Sequence, residues 1–244
     1  MFAILFLPLF VAAIFGFAAA VVPPYIHVCG ARNPQLDECI INSITALQDK
    51  LKVGIPELDV PSAEPLFIKK IVLLDMPNFL AVGTDVKLRG LSNYHINSLH
   101  VDLEKKTFDI DVTFAECKLE ALYDFQARIL VPIDAHGPVN ITAKDVNAKV
   151  KLTNKIVERK GTRYLYFSSM TTDLNFVDFD IKWKLDNVDD TLREAFSQAF
   201  GSSHKEIIAT TKPNVEKAIS ENCLNVANKI CKRITYDELF PDRE

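Results

Sequence analysis

The apolar residues of this chain change their pattern along its length. Residues 1–20 form a nearly continuous apolar block without a charged side chain, and the block ends in the small residues Ala18 and Ala20. This pattern is typical of a secretory signal peptide with cleavage after Ala20. The alternative is an uncleaved membrane anchor, for which the block is short and has no basic flank. We therefore predict a signal peptide over 1–20 and one mature domain over 21–244.

A helix is predicted at the start of the mature chain. Asn33-Pro34 provides a capping side chain followed by a first-turn proline. Apolar residues then recur on one helical face: Leu36, Ile40, Leu47 and Leu51. Gly54 and Pro56 end the helix, and the proline-punctuated segment 54–67 is predicted to be a connector.

Between about 66 and 185 the apolar positions alternate as in strands, and the alternation changes phase three times. The apolar side switches parity at Ala115-Glu116, at Lys144-Asp145 and between Phe176 and Val177. A strand with one buried face keeps a strict period of two, so each change indicates a bulge or a switch of buried face. Three such changes predict long, strongly bent antiparallel strands. The alternative is a set of shorter strands broken by turns.

A long helical region is predicted from about 188 to 232, capped by Asp186 or Asn187. Gly201 and Pro213 are expected to break or kink it. A helical apolar stripe follows the proline: Val215, Ala218, Ile219, Cys223, Val226, Ala227 and Ile230. A helix after a curved meander can fill the concave face of the sheet, so the predicted fold class is α+β.

Composition and motifs exclude several functions. The chain has 244 residues, 48% of them apolar, and a net charge of −4, which excludes global disorder and a broad basic footprint for nucleic acid or anionic lipid. No nucleophile elbow, phosphate-binding loop, dinucleotide fingerprint or metalloprotease motif occurs, and the histidines are scattered. We therefore expect no catalysis, no cofactor, no metal and no nucleic-acid partner.

The five cysteines fit an exported protein. Cys29 and Cys39 close a short loop near the mature N-terminus, and we predict a disulfide between them. Cys223 and Cys231 are separated by about 12 Å along the predicted helix axis, which exceeds disulfide reach. Cys117 could pair with either of them across the core. The simpler expectation is that all three are buried thiols.

Several short phrases, in order along the mature chain, carry a family resemblance. They are Cys29 with Cys39, Leu88-Arg89-Gly90-Leu91-Ser92, Gly137-Pro138-Val139-Asn140-Ile141-Thr142, Tyr164-Leu165, Ala227-Asn228-Lys229-Ile230 and Tyr236-Asp237-Glu238-Leu239-Phe240-Pro241. In this order and spacing the chain resembles the insect takeout and juvenile-hormone-binding protein family. The hormone binders of that family have a second disulfide, and the segment from Thr171 to Asn175 lacks its upstream cysteine. The chain is therefore most similar to the takeout branch.

The resemblance implies a TULIP-type single unit, in which a highly curved antiparallel sheet wraps a long C-terminal helix. It also implies an internal apolar tunnel for a terpenoid, juvenile-hormone-like or fatty-acid-like ligand. We accordingly expect a secreted, monomeric carrier in haemolymph or another extracellular fluid, with at most transient membrane contact. The alternative is an extracellular protein- or membrane-interaction module with a filled core and no ligand.

A tunnel needs apolar walls that side chains leave unfilled. The candidate ligand-binding residues are Phe108, Phe114, Tyr123, Phe125, Phe176, Phe179, Trp183, Ile207 and Ile208. The sequence leaves open whether each is tunnel wall or ordinary core. The polar atoms of Tyr123 and Trp183 could meet either a structural partner or a ligand head group. Asn140 begins an N-x-T sequon and is a glycosylation candidate.

Overall fold

The computed structural model describes residues 22–128, 132–176, 178–184 and 190–244. The predicted signal peptide lies outside this part of the chain, as do Asp186 and Asn187. Within the described residues, no helix combines the length and apolarity needed to cross a membrane. The helices are α1 (Leu36–Ala46), α2 (Gln48–Val53), α3 (Asp190–Arg233) and α4 (Tyr236–Leu239). The strands are β1 (Leu66–Met76), β2 (Phe79–Arg89), β3 (Tyr94–Asp102), β4 (Thr107–Arg128), β5 (Pro132–Arg159), β6 (Thr162–Asn175) and β7 (Asp178–Trp183).

All seven strands form one antiparallel sheet with the order β1-β2-β4-β5-β6. Strands β4 and β5 are long enough for each to pair with two successive neighbours. β3 pairs with the first part of β4 and β2 with the rest, while β6 and β7 divide β5 in the same way. The sheet therefore has two halves along its strands.

The first two predicted changes of phase are confirmed. In β4 the buried side passes from Phe108, 7% exposed, to Ala127, 2% exposed, and therefore from even to odd positions. In β5 it passes from Ala135, 1% exposed, to Val146, 6% exposed. Asp145 has a φ of 48°, which is a left-handed conformation. It turns the strand at the position where the buried side of β5 changes.

These changes lie opposite each other across the sheet. β4 and β5 keep one register from Thr107↔Thr153 to Arg128↔Pro132, which sets Ala115 level with Asp145. The line through these two positions is called the crease below. It separates a first half, around the start of β4, from a second half made of 116–128, 132–144 and β7.

The third change of phase falls between two strands. β6 ends with Asn175 opposite Asn147, and β7 begins with Asp178 opposite Lys144, so the register on β5 is the same on both sides. The apolar side still passes from an even position in β6, Leu174, to odd positions in β7 such as Phe179, as predicted, but the segment is divided into two strands, as in the alternative of shorter strands. The interruption nevertheless lies beside the crease, and Val177 is outside the described residues.

Helix α3 lies between the two edges of the curved sheet. The Asn214 side-chain amide donates to the Leu73 carbonyl of β1 at 2.9 Å, while the Glu216 carboxylate accepts from the Leu174 N–H of β6 at 2.7 Å. In a flat sheet of this order, β1 and β6 would be about 19 Å apart, at roughly 4.8 Å per strand. Two helix residues separated by one position reach both edges, so the sheet is strongly curled around the helix.

Two helix predictions need correction. α3 continues through Gly201 and Pro213, so a break or restart there is wrong, while a kink at either residue stays a prediction. Hydrogen bonds from Asn214 and Glu216 to the two sheet edges hold the chain helical beside the proline. The N-terminal helix begins at Leu36, after a turn in which the Asn33 side chain accepts from the Gln35 N–H. That helix also divides in two at Leu47.

The first half of the molecule has a filled core. Phe108 packs edge-on against Phe167 at 5.5 Å between ring centroids and also contacts the ring of Phe240. Leu99, Val101, Leu152 and Leu165 complete this buried cluster, and apolar residues of α1 cover it. Cys231 of α3 is buried in the same cluster.

The predicted disulfide is confirmed, whereas of the three thiols expected to be buried only Cys231 is, and Cys117 and Cys223 are half-buried. Cys29 and Cys39 form a disulfide, with their Cα atoms 6.0 Å apart. His27 lies beside this bond, but the two sulfurs are joined to each other and are not available as thiolate metal ligands. Cys117, Cys223 and Cys231 are free thiols, and burial raises the pKa of Cys223 to about 11 and that of Cys231 to about 12.

Removing the disulfide with Cys29→Ser/Cys39→Ser is expected to lower the free energy of unfolding by about 2.7 kcal/mol, because the unfolded chain regains the freedom of the closed loop. Chemical denaturation of both proteins measures the difference. Cys117→Ser, which breaks no cross-link, is the control and should change stability much less. Equal losses in the two variants would contradict a cross-linking role.

Candidate ligand site

The inner face of the second half is apolar but only partly buried. Its residues keep odd positions on all three strands, and their outward neighbours are mostly exposed. They are Cys117, Leu119, Ala121, Tyr123 and Phe125 on β4, Val139, Ile141 and Ala143 on β5, and Phe179, Ile181 and Trp183 on β7. In the first half, Phe108 and Leu152 are buried. In the second half, Leu119 and Ala121 pack against a buried cluster of β1 and β2, and Ala127 and Ala135 at its far end are buried, while the aromatic residues between them are half-buried.

A pair of aromatic rings marks the end of this face. The rings of Tyr123 and Trp183 lie 6.3 Å apart, on either side of β5. Gly137 stands directly opposite Tyr123 and is buried. The Tyr123 hydroxyl donates to the Lys184 carbonyl at 2.7 Å, so its polar atom has a structural partner.

A second aromatic pair lies next to the crease. The rings of Phe176 and Phe179 meet edge to face at 5.7 Å. On β5, Ala143 lies opposite Cys117 of β4 and also opposite Phe179 of β7. Its small side chain therefore lies between two larger ones on the inner face. Burial raises the pKa of the Cys117 thiol to about 11, with further contributions from the carboxylates of Glu64 and Glu116. The thiol is therefore neutral at physiological pH and belongs to an apolar surface.

Not all of the candidate residues are brought together. Tyr123, Phe125, Phe176, Phe179 and Trp183 lie on or beside the second-half face. The other four are placed differently. Phe108 belongs to the packed core and Phe114 lies just before the crease, while Ile207 and Ile208 are partly buried residues on α3.

The sequence-based list omits the aliphatic members of this face. Val139, Ile141, Ala143 and Ile181 complete the surface between the aromatic pairs. These residues alternate with polar neighbours along their strands, and this alternation could have identified them. Once the strands are paired, it places them on the same face of the sheet as Trp183. The list contained mainly aromatic residues, and it therefore missed them.

Asn140 lies on the opposite side of the same strand. Its side chain is exposed on the outer surface of β5, between Glu120 of β4 and Lys182 of β7. The outer position leaves room for a glycan, while the surrounding sheet holds the sequon extended. Glycosylation at Asn140 stays a prediction.

Comparisons with known proteins agree with this architecture. Residues 5–241 match the family model described as haemolymph juvenile hormone binding protein (JHBP). A Schistocerca gregaria protein described as "Putative beta-carotene-binding protein" is 25% identical over 224 residues, which are 89% of each chain. The crystal structure of Epiphyas postvittana Takeout 1 superposes with a TM-score of 0.74 at 16% identity, covering 88% of this chain and 100% of that one.

The structural match confirms the predicted TULIP-type fold, with a curved antiparallel sheet around a C-terminal helix. The family match extends over nearly the whole chain and includes the disulfide, the long strands and α3. The chain belongs to the haemolymph juvenile hormone binding protein family.

Proposed function

We propose that this protein is a secreted carrier that holds a small hydrophobic ligand against the inner face of its second half. The observation that carries this proposal is that the apolar face from Cys117 to Trp183 is half-buried, while the buried clusters lie around Phe108 and around β1 and β2. An apolar ligand that covers this face removes it from water, which favours binding by about 25 cal/mol per Å² before ordering costs.

The chemistry of the face favours a terpenoid or fatty-acid-like ligand. Its walls are aliphatic and aromatic, and the hydroxyl of Tyr123 is already bonded to the Lys184 carbonyl. Selection among ligands would therefore depend on length and shape more than on polar groups. Membership of the family and a relative described as a carotene binder support the same ligand class.

Secretion is part of the proposal. The apolar block over 1–20 and the Cys29–Cys39 disulfide both suit an exported protein. We expect the mature protein recovered from extracellular fluid to begin at Val21, which N-terminal sequencing measures. Recovery of chains that retain the block in a membrane fraction would contradict this part.

A displacement assay tests ligand binding. The delipidated protein is titrated with a fluorescent fatty acid, and unlabelled terpenoids, fatty acids and β-carotene compete for it. Saturable binding with one or a few sites and displacement by at least one class supports the carrier. The absence of saturable binding across the panel would favour an interaction module with a filled core.

A further inference from the structure

A groove on the outer surface runs along the C-terminal part of α3, away from the proposed ligand face. Its volume is about 470 Å³. The floor is the helix stripe that includes Asn225 and Lys229, one wall is Phe67 of β1, and the other is Tyr166 of β6 with Arg159 of β5. It exists because α3 lies between the two edges of the sheet, so the outer face of the helix is recessed between them.

The groove is basic although the protein is acidic. Its lining residues, all in the described part of the chain, include Arg159, Lys229 and Lys232 but no carboxylate. The Lys229 ammonium lies 3.8 Å from the Asp59 carboxylate, whose side chain is 67% exposed. Such a loose, solvated ion pair leaves most of the lysine charge available. The whole chain carries a net charge of −4, so a lining with three cations and no carboxylate is a local region that anionic surfaces can approach.

Aromatic side chains flank these cations. Phe67 is 53% exposed and Tyr166 is 38% exposed, on opposite walls. Lys155 lies 5.3 Å from the centre of the Tyr166 ring, and Lys87 is directly opposite Phe67 on the neighbouring strand. Exposed rings beside lysine and arginine are the combination that anchors proteins at the boundary between lipid headgroups and acyl chains.

We propose that this basic groove docks the protein on membranes that contain anionic phospholipids. Lipid phosphates and carboxylates contact Arg159, Lys229 and Lys232, while the rings of Phe67 and Tyr166 enter the headgroup layer. A soluble anion would use the cations but would derive nothing from two exposed rings on opposite walls. Docking itself does not depend on the proposed ligand, although its use for exchanging a ligand with a membrane rests on the carrier function.

Vesicle flotation tests the groove with the full mature protein. Vesicles of phosphatidylcholine alone are compared with vesicles that also contain phosphatidylserine. We expect binding only to the second kind, decreasing as salt rises. Lys229→Glu/Lys232→Glu should reduce it about tenfold or more. Lys106→Glu/Lys144→Glu changes the net charge equally at exposed positions outside the groove and should bind nearly as the parent does.

A second variant tests the aromatic walls. Phe67→Ala keeps every cation and is expected to weaken vesicle binding several-fold, because the ring no longer enters the headgroup layer. An unchanged partition for Phe67→Ala, or equal losses in the two double variants, would overturn the docking surface. So would wild-type protein that floats with neither kind of vesicle.

Fluorescent fatty-acid binding in solution, measured on the same proteins, separates this proposal from the carrier function. Wild-type protein that binds the fatty acid but no vesicle overturns docking alone. Protein that binds anionic vesicles but no fatty acid supports docking and contradicts the carrier. The groove variants are expected to bind the fatty acid as the parent does, because their substitutions lie outside the ligand face.

Discussion

Ala143→Trp is expected to reduce the affinity for a fluorescent fatty acid at least about tenfold, which corresponds to 1.4 kcal/mol. Ala143 lies at the centre of the second-half face, between Cys117 and Phe179. If that face lines an unfilled space, the indole occupies the volume that the ligand needs. The titration used for the parent protein measures the loss, and chemical denaturation measures stability alongside it.

Leu122→Trp is the matched control for this variant. Leu122 is 49% exposed on the outer side of β4, so the same ring there points away from the ligand face. Its affinity should stay within about twofold of the parent. If the space is instead filled by side chains, Ala143→Trp would be destabilised by about 1–3 kcal/mol through overpacking. That loss of stability, or unchanged affinity in a stable variant, would contradict an open ligand face.

Asn228→Ala is expected to lower the free energy of unfolding by about 2–4 kcal/mol, since two hydrogen bonds are lost and a buried backbone N–H and C=O are left unpaired. The Asn228 amide donates to the Phe167 carbonyl and accepts from the Phe167 N–H, both at 2.9 Å. The Asn228 side chain thus makes the two backbone hydrogen bonds that a neighbouring strand would otherwise make with Phe167 of β6. Urea denaturation of the parent and the variant measures the difference.

Asn225→Ala is the control, one turn earlier on the same helix. Asn225 is exposed, and alanine there is a slightly better helix former, so stability should change by less than about 0.5 kcal/mol. Asn228→Asp keeps the hydrogen-bond acceptor but loses the donor, so its loss of stability should lie between those of Asn225→Ala and Asn228→Ala. A loss for Asn225→Ala as large as that for Asn228→Ala would indicate helix propensity rather than the bond to β6.

Some features of the fold could be predicted because they depend on neighbouring residues. A change from even to odd apolar positions at Ala115 and at Asp145 is visible in one dimension, since a strand exposes alternate residues to alternate faces. The disulfide between Cys29 and Cys39 needs only a short loop and an oxidising compartment. Both predictions are confirmed, and both have a local physical cause.

Other features depend on groups that are distant in the chain. Gly201 and Pro213 weaken an isolated helix, yet α3 passes through both, and beside Pro213 the bonds from Asn214 and Glu216 attach it to the two sheet edges. Propensity differences of a few kcal/mol are smaller than the combined packing of a long helix. Whether the change of phase near Phe176 lies within one strand or between two likewise could not be decided without the strand pairing on β5.

The sequence by itself determined the apolar block over 1–20, the α+β fold, the crease and the apolar side of each strand, because these follow from local chemistry and period. Only the tertiary structure decided which inner residues are core and which are partly uncovered. Phe108 and Phe125 occupy equivalent inner positions on one strand, but Phe167 and Phe240 bury only Phe108. The difference arises from the side chains that the helices and neighbouring strands bring over each half of the sheet, which alternation along one strand cannot specify.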